Sequence, residues 1–356
     1  GLLVAAPTIG VAEEADVGHK LTGWEQNGGQ AGVVRRFAAD YKKFLGSFKT
    51  EREVVSEALR LARKRGHVDL LADKRPAIKP GSRLYAHVNG KLAALIVVGK
   101  KPISDGLHVV ATHIDAVRID LKQNPIYDDG NLAMLQTHYY GGIKKYQWLS
   151  VPLELRGVVS TRSGKTIEIK IGDDPSEPVL VIPDIAAHVS WHVDRTEGEE
   201  LPGESLDPIV SSTPKGKGAD RFARQAAALL KSQYKIDVAD LASAELELVP
   251  AAAPRDVGID RALIGGYGQD DRSCSYAALR ALLELGTPTH TAVVVLTDKE
   301  EIGSHGNTGA RSTFIRRVVA EMLEGAGTRS TASAVNKALA NSIVFSGDVT
   351  GAINPQ

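Results

Sequence analysis

The sequence predicts an α/β protein, with a mixed, mostly parallel sheet flanked by helices and an inserted β-rich domain. Three observations predict it. Short apolar runs bounded by turns alternate with helix-like stretches towards both ends of the chain. The middle third instead alternates apolar and polar residues. Polar residues also follow directly on the strand-like runs, where open α/β sheets gather their ligands. The expected boundaries are a first core part at 1–117, the insertion at 118–254 and a second core part at 255–356.

Residues 1–35, rich in Gly and small residues without a period, read as irregular. The opening GLLVAAPTIG lacks a basic region before its apolar stretch, so a secretory leader is not expected. The first firm element follows. Thr50 and Glu53 form a capping box ahead of EVVSEALRLARKR, whose Val54, Val55, Leu59 and Leu61 recur at roughly helical spacing, and Gly66 suits the stop. At 83–98, RLYAHVNGKLAALIVV reads as two strands joined by a type I′ turn at Asn89-Gly90. LHVVAT then runs as a third strand into His113.

The insertion begins to show in VPLELRGVVSTRSGKTIEIKIG, which alternates around a Ser163-Gly164 turn, and PVLVIPDIAAHV continues the strand-like reading. A Pro, Gly and Ser-rich stretch, LPGESLDPIVSSTPKGKG, precedes the helical ADRFARQAAALLKSQY. After about Ala253 strands and helices alternate again. DRSCSYAALRALLELG and STFIRRVVAEMLEG are helices; TAVVVLT and NSIVFS are strands.

Composition narrows the function classes. Of 356 residues, 43% are hydrophobic and 24% charged, enough for a substantial core in one large domain or two smaller ones. Lys plus Arg and Asp plus Glu number 43 each, so no net field draws the chain to nucleic acid or an anionic membrane. The single cysteine, Cys274, excludes an intramolecular disulfide and a thiolate zinc cluster, and fits a reducing, cytoplasmic setting. Apolar stretches such as 292–296 fall far short of the ~20 residues that span a bilayer.

Four segments carry chemistry: THIDA with His113 and Asp115, GQDDRS with Asp270 and Asp271, TDKEEIGS with Asp298, Glu300 and Glu301, and SGDV with Asp348. Each lies at a strand end or a helix start. One imidazole with several carboxylates is an oxygen-rich donor set suited to zinc, manganese or cobalt in a paired site. In His-x-Asp the carboxylate can orient the imidazole and raise its basicity. Two adjacent carboxylates such as Glu300 and Glu301 repel unless a cation or proton neutralises them. Taken singly, each segment has a plainer reading. His113 also suits a buried structural histidine, Glu300-Glu301 a solvated turn, Asp270-Asp271 a helix cap, and Asp348 a turn. The plain readings strain when taken together, because all four segments would then end on one edge of the inferred sheet.

HIDAVR, the YYGG at 139–142, IPDIAAH ending at His188, DDRSCSYAALRAL, DKEEIGS and SGDVTGAINP follow one another as in the aspartyl aminopeptidase and aminopeptidase I family. From about Phe44 to Gln356 the chain resembles a bacterial-type member. The resemblance implies a metal-dependent aminopeptidase that removes N-terminal residues from peptides, with two divalent ions, zinc first and cobalt or manganese as alternatives. It implies that His113, Asp270, Glu301 and Asp348 are metal ligands, Asp270 bridging, with Glu300 as general base and Asp115 setting the His113 geometry. It also implies that the insertion builds dimers and then a dodecamer, in which His188 reaches a neighbouring subunit's site to bind substrate.

Two departures stand out. The family has Asp-Asn where this chain has Asp270-Asp271, and the register with AALRAL favours Asp270 as the bridging residue. The family also supplies a last His ligand in a Met-His-Ser segment, whereas no histidine follows His305 here, so the sequence is expected to lack the C-terminal part. Should that ligand be truly absent, the alternatives are an assembly scaffold, or a related metallo-deacylase or carboxypeptidase.

Overall fold

The computed structural model describes residues 23–26, 29–74, 76–186 and 201–351. The chain divides into an N-terminal unit, residues 1–40, and a second unit, 41–356. The helices are α1 (Gly23–Gln26), α2 (Ala31–Ser47), α3 (Glu51–Lys64), α4 (Arg221–Leu229), α5 (Gln269–Glu284), α6 (Phe314–Gly325) and α7 (Ala332–Ala340). The strands are β1 (Val68–Asp69), β2 (Arg83–Val88), β3 (Leu92–Val97), β4 (Leu107–His113), β5 (Arg118–Asp129), β6 (Leu132–Tyr140) and β7 (Leu153–Ser160). They continue as β8 (Thr166–Ile171), β9 (Ile209–Ser211), β10 (Ala244–Pro250), β11 (Arg255–Val257), β12 (Leu263–Gly265), β13 (Thr291–Thr297) and β14 (Ile343–Ser346).

Two six-stranded sheets organise the second unit. The first has the order β1-β2-β3-β13-β4-β14, parallel at β1-β2, β13-β4 and β4-β14 and antiparallel at the two pairings of β3. Both of its faces are covered. Ala93, Leu95 and Val97 pack with α3 and α5 residues such as Val55, Ala58, Leu279 and Leu283. The intervening Leu92, Ala94 and Ile96 pack on the other side with Val318, Val319 and Met322 of α6 and Ala338 of α7. Burial on both faces is why β3 and β13 read as continuous apolar runs.

The second sheet, β8-β7-β10-β5-β6-β9, is antiparallel throughout. Alternation of this kind ordinarily leaves one face of an antiparallel sheet to water, but here that face buries charge. Glu154 and Arg156 of β7 and Glu247 of β10 are almost fully buried. They meet the start of α3 and its neighbours: Lys49 bonds Glu154, Arg156 bonds Glu154 and reaches Glu53 at 2.7 Å, and Arg118 lies 3.4 Å from Glu247. The polar face is thus an ionic seam between the two sheets' layers, since buried charges persist where they are paired.

The predicted α3 forms with its capping box: the Thr50 hydroxyl accepts from Glu53 N–H, and the Glu53 carboxylate accepts from Thr50 N–H at 3.1 Å. The Asn89-Gly90 turn has φ of 53° and 66°, closed by Lys91 N–H donating to Val88 O at 3.1 Å. Residues 31–35, expected to be irregular, are the first turns of α2, which continues to the buried Tyr41, Phe44 and Leu45 at helical spacing. PVLVIPDI forms only isolated bridges at Leu180, Val181 and Ile182, because Pro178 and Pro183 flank the run and donate no N–H. Strands β5 and β6 are not among the predicted elements, although Gly130-Asn131 (φ 53° and 65°) is a two-residue hairpin turn. His188 lies outside the described residues. Among the described residues no helix is long and apolar enough to cross a membrane.

The cap gives a direct test. Thr50→Ala should lower stability by about 1 kcal/mol, seen as a lower urea midpoint at unchanged slope. An unchanged midpoint would show that the capping box contributes nothing.

Candidate metal centre

Three parallel strands deliver the site. β13 and β14 flank β4 in register, with Thr297 opposite His113 and Ser346 opposite Ala111, so the three chains leave the sheet along one edge. Backbone bonds continue past the strand ends: Ile114 N–H donates to Thr297 O and Gly347 N–H to Ala111 O, each at 2.8 Å. His113, the 298–304 segment and Asp348 therefore emerge side by side.

Helix α5 supplies the fourth segment. Ser275 Oγ donates to His113 O at 2.7 Å and shares a hydrogen bond with the Thr112 hydroxyl at 2.9 Å, which ties the helix to the end of β4. The helix is kinked at its head: Asp270 (φ −83°, ψ 113°) and Asp271 (φ −116°, ψ 40°) are both non-helical, so its regular turns begin after the pair. Asp270 turns outward to the site, its Oδ1 3.0 Å from His113 Nε2. Asp271 is buried.

His113 is itself buried, and its Nε2 faces carboxylates: Asp348 Oδ1 at 3.7 Å and Glu300 Oε2 at 3.9 Å in addition to Asp270. Its Nδ1 sits 3.0 Å from Asp115 O and 3.3 Å from Asp115 Oδ1. Asp115 is fully buried and accepts the Glu300 N–H at 3.2 Å, the Glu301 N–H at 3.3 Å and the Tyr140 hydroxyl at 2.8 Å. Glu300 and Glu301 lie in a single 3₁₀ turn, Glu300–Ile302, between Lys299 (φ 67°) and Gly303 (φ 92°). Gly141, φ 76°, closes over Glu301: a Cβ there would lie 2.9 Å from Val117 Cγ1 and 3.1 Å from Glu301 Cβ.

His113, Asp270 and Asp348 each offer a ligand atom, all within 4.8 Å of one another. Glu301 is not in that trio; it adjoins it through Asp115 and Gly141. Tyr140 and Gly141 were marked by the YYGG motif but not by any chemistry of their own, and no local spacing relates Tyr140 to Asp115.

The electrostatics suit a cation. Burial, and the neighbouring Asp270, Asp115 and Glu300 carboxylates against the pull of His113, push Glu301 up to about 7. Burial and then the Asp348 charge raise Asp270, with His113 opposing. Burial would lower His113, but Asp115, Asp270 and Asp271 outweigh it and hold it at about 9. Without a cation the cluster keeps protons it would otherwise shed. One imidazole and several oxygens with this surplus of negative charge fit a divalent ion.

The family described as aminopeptidase I zinc metalloprotease (M18) matches residues 44–356. A probable M18 family aminopeptidase 1 from Borrelia garinii is 44% identical over 90% of this chain and 71% of its own. A crystal structure of an M18-family aminopeptidase from Thermotoga maritima superposes with a TM-score of 0.86 at 41% identity, covering 91% of this chain and 71% of that one. At greater distance, the S. cerevisiae mApe1 dodecamer shares the fold with a TM-score of 0.71 at 23% identity, over 91% of this chain and 74% of its own.

A pH dependence follows. His113 is raised, so in the metal-free protein its favourable contacts are fully present below the ordinary histidine range and are lost as pH climbs through about 9. A metal competes with the same proton. Zinc affinity should therefore increase with pH up to about 9, with net proton release in calorimetry across buffers of different ionisation enthalpy. Affinity that is flat over this range, without proton release, would remove His113 from the donor set.

Proposed function

The chain belongs to the aminopeptidase I zinc metalloprotease family (M18) and is a metal-dependent aminopeptidase, and from that premise we propose that His113, Asp270, Glu301 and Asp348 hold its metal while Glu300 is the general base. The observation that carries the assignment is the meeting of His113, Asp270 and Asp348 within 4.8 Å, with Glu300 beside them. We read the site as a two-ion centre with zinc the first choice, which His113, Asp270, Glu301 and Asp348 would hold. Bound ions supply Lewis-acid polarisation of the scissile carbonyl and a lowered pKa for the attacking water.

The chain's own residues do the rest. Glu300 has an exposed carboxylate 3.9 Å from His113 Nε2, within reach of a water at the centre. It takes the proton from that water and returns it to the leaving amine. Asp115 engages His113 Nδ1 and so leaves Nε2 as the donor atom. A free α-amine held at the same centre would account for a preference for N-termini, as an exopeptidase needs.

We further read residues 118–254 as an inserted assembly domain, with the peptidase core on either side of it. The grouping of β5 to β10 in one sheet supports that division. The dodecamer of the yeast relative supports self-association; assembly through this unit, with His188 offered to a neighbour's site, is part of the same proposal. A cytoplasmic location belongs to the same reading.

Two measurements test it. Glu300→Gln should cut kcat by roughly 10²- to 10⁴-fold while zinc content stays at the wild-type level. Peptides with a free amino terminus should be cleaved and their acetylated counterparts spared; cleavage of blocked peptides would point to a deacylase or endopeptidase instead.

A further inference from the structure

Asp115 is held by donors from several parts of the chain, and they are not equivalent. Its Oδ1 takes the Glu300 N–H at 3.2 Å and lies 3.3 Å from His113 Nδ1; its Oδ2 takes the Glu301 N–H at 3.3 Å and the Tyr140 hydroxyl at 2.8 Å. Three of these donors belong to residues of the site itself. A group that must be positioned cannot serve as the reference that positions it. Tyr140 is the donor that comes from outside, at the end of β6, and its bond is the shortest of the set.

Tyr140 is itself anchored away from the site. It is buried, and it stands opposite Arg118 in the β5-β6 ladder. The Arg118 guanidinium carbon sits 3.8 Å from the ring centroid. Arg118 is held in turn by Asp120 at 2.7 Å, Glu247 at 3.4 Å and Glu51 at 3.6 Å, so the stack is tied into the ionic seam. Burial and the Asp115 carboxylate both raise the Tyr140 phenol, which keeps its proton and stays a donor. The next residue, Gly141, packs directly on Glu301.

We propose that Tyr140 is a positioning residue through which the inserted sheet fixes the Asp115 carboxylate, and with it the His113 ring and the Glu300-Glu301 turn. Arg118, stacked on the ring, is the support that keeps Tyr140 in place. The proposal rests on the roles of Asp115, His113 and Glu300 given above. It assigns the insertion a part in the chemistry of its own subunit.

Tyr140→Phe tests it by removing one oxygen while keeping the ring and its stack. Zinc affinity, measured by competition with a chromophoric chelator, should fall about 10-fold. At saturating zinc, kcat on an aminoacyl p-nitroanilide should fall about 10-fold with KM within about twofold of wild type. Adding Tyr140→Phe to Asp115→Asn should cost nothing more, whereas a merely structural role would add its loss to that of Asp115→Asn. Wild-type zinc affinity and kcat in Tyr140→Phe, with both reduced in Asp115→Asn, would overturn the proposal alone. Wild-type behaviour of Asp115→Asn would overturn it together with the reading beneath it. Should Tyr140→Phe fail to fold, 4-aminophenylalanine at position 140 retains a donor and 4-methylphenylalanine does not; equal zinc affinity in these two proteins would overturn the proposal.

Discussion

The site depends on one buried charge. Asp115 has no exposure to solvent, and an isolated carboxylate in such a place would take up a proton rather than stay ionised. It stays ionised because donors converge on it: the His113 imidazole and the Tyr140 hydroxyl, with the Glu300 N–H, outweigh the burial and hold its carboxyl below the usual range. Those donors come from the end of β4, the end of β6 and the turn after β13. The charge therefore specifies a meeting of three chain segments. Any rearrangement that withdrew one of them would leave part of the desolvation cost uncompensated.

Around that fixed point the protein concentrates more negative charge than it neutralises. Asp270, Asp348 and Glu300 all face the same imidazole nitrogen. The parallel register of β13, β4 and β14 brings the Glu300 turn and Asp348 to the His113 end of β4, and the head of α5 adds Asp270. The raised pKa of Glu301 and the raised His113 are two faces of that crowding: protons occupy positions that a divalent ion would take. The structure thus stores repulsion which metal binding relieves, coupling affinity to pH and to the integrity of the sheet edge.

How much of this could be read in the sequence follows from which interactions are local. The Thr50-Glu53 cap and the Asn89-Gly90 turn are fixed by neighbours within a few residues, and the apolar runs of β3 and β13 by burial on both faces. The chemistry-bearing segments were legible because each sits at a strand end or a helix start. Other features were not. The alternation in β7 gives no hint that Glu154 and Arg156 face a helix rather than water, because their partners Lys49 and Glu53 lie about a hundred positions away. The choice between Asp270 and Asp271 turns on local backbone angles at the head of α5 that residue type does not encode. Tyr140 meets Asp115 only because β5 leaves the site and β6 returns to it, and that hairpin was itself unpredicted.

The ionic seam explains why such a return can be accurate. Lys49 with Glu154, Arg156 with Glu53 and Lys91 with Glu51 are all largely withdrawn from water. Pairs of this kind roughly break even against a well-packed apolar contact, so they add little net stability. Their geometry is another matter. An apolar seam tolerates sliding, whereas a buried ion pair displaced by an ångström or two exposes an uncompensated charge on each side. The end of β6 must bring a hydroxyl to within hydrogen-bond range of Asp115 and a glycine against Glu301, with no room for a methyl group. A junction between helix α3 and the second sheet that resists sliding meets that requirement, and the charges buried there are best understood as fixing register at the site.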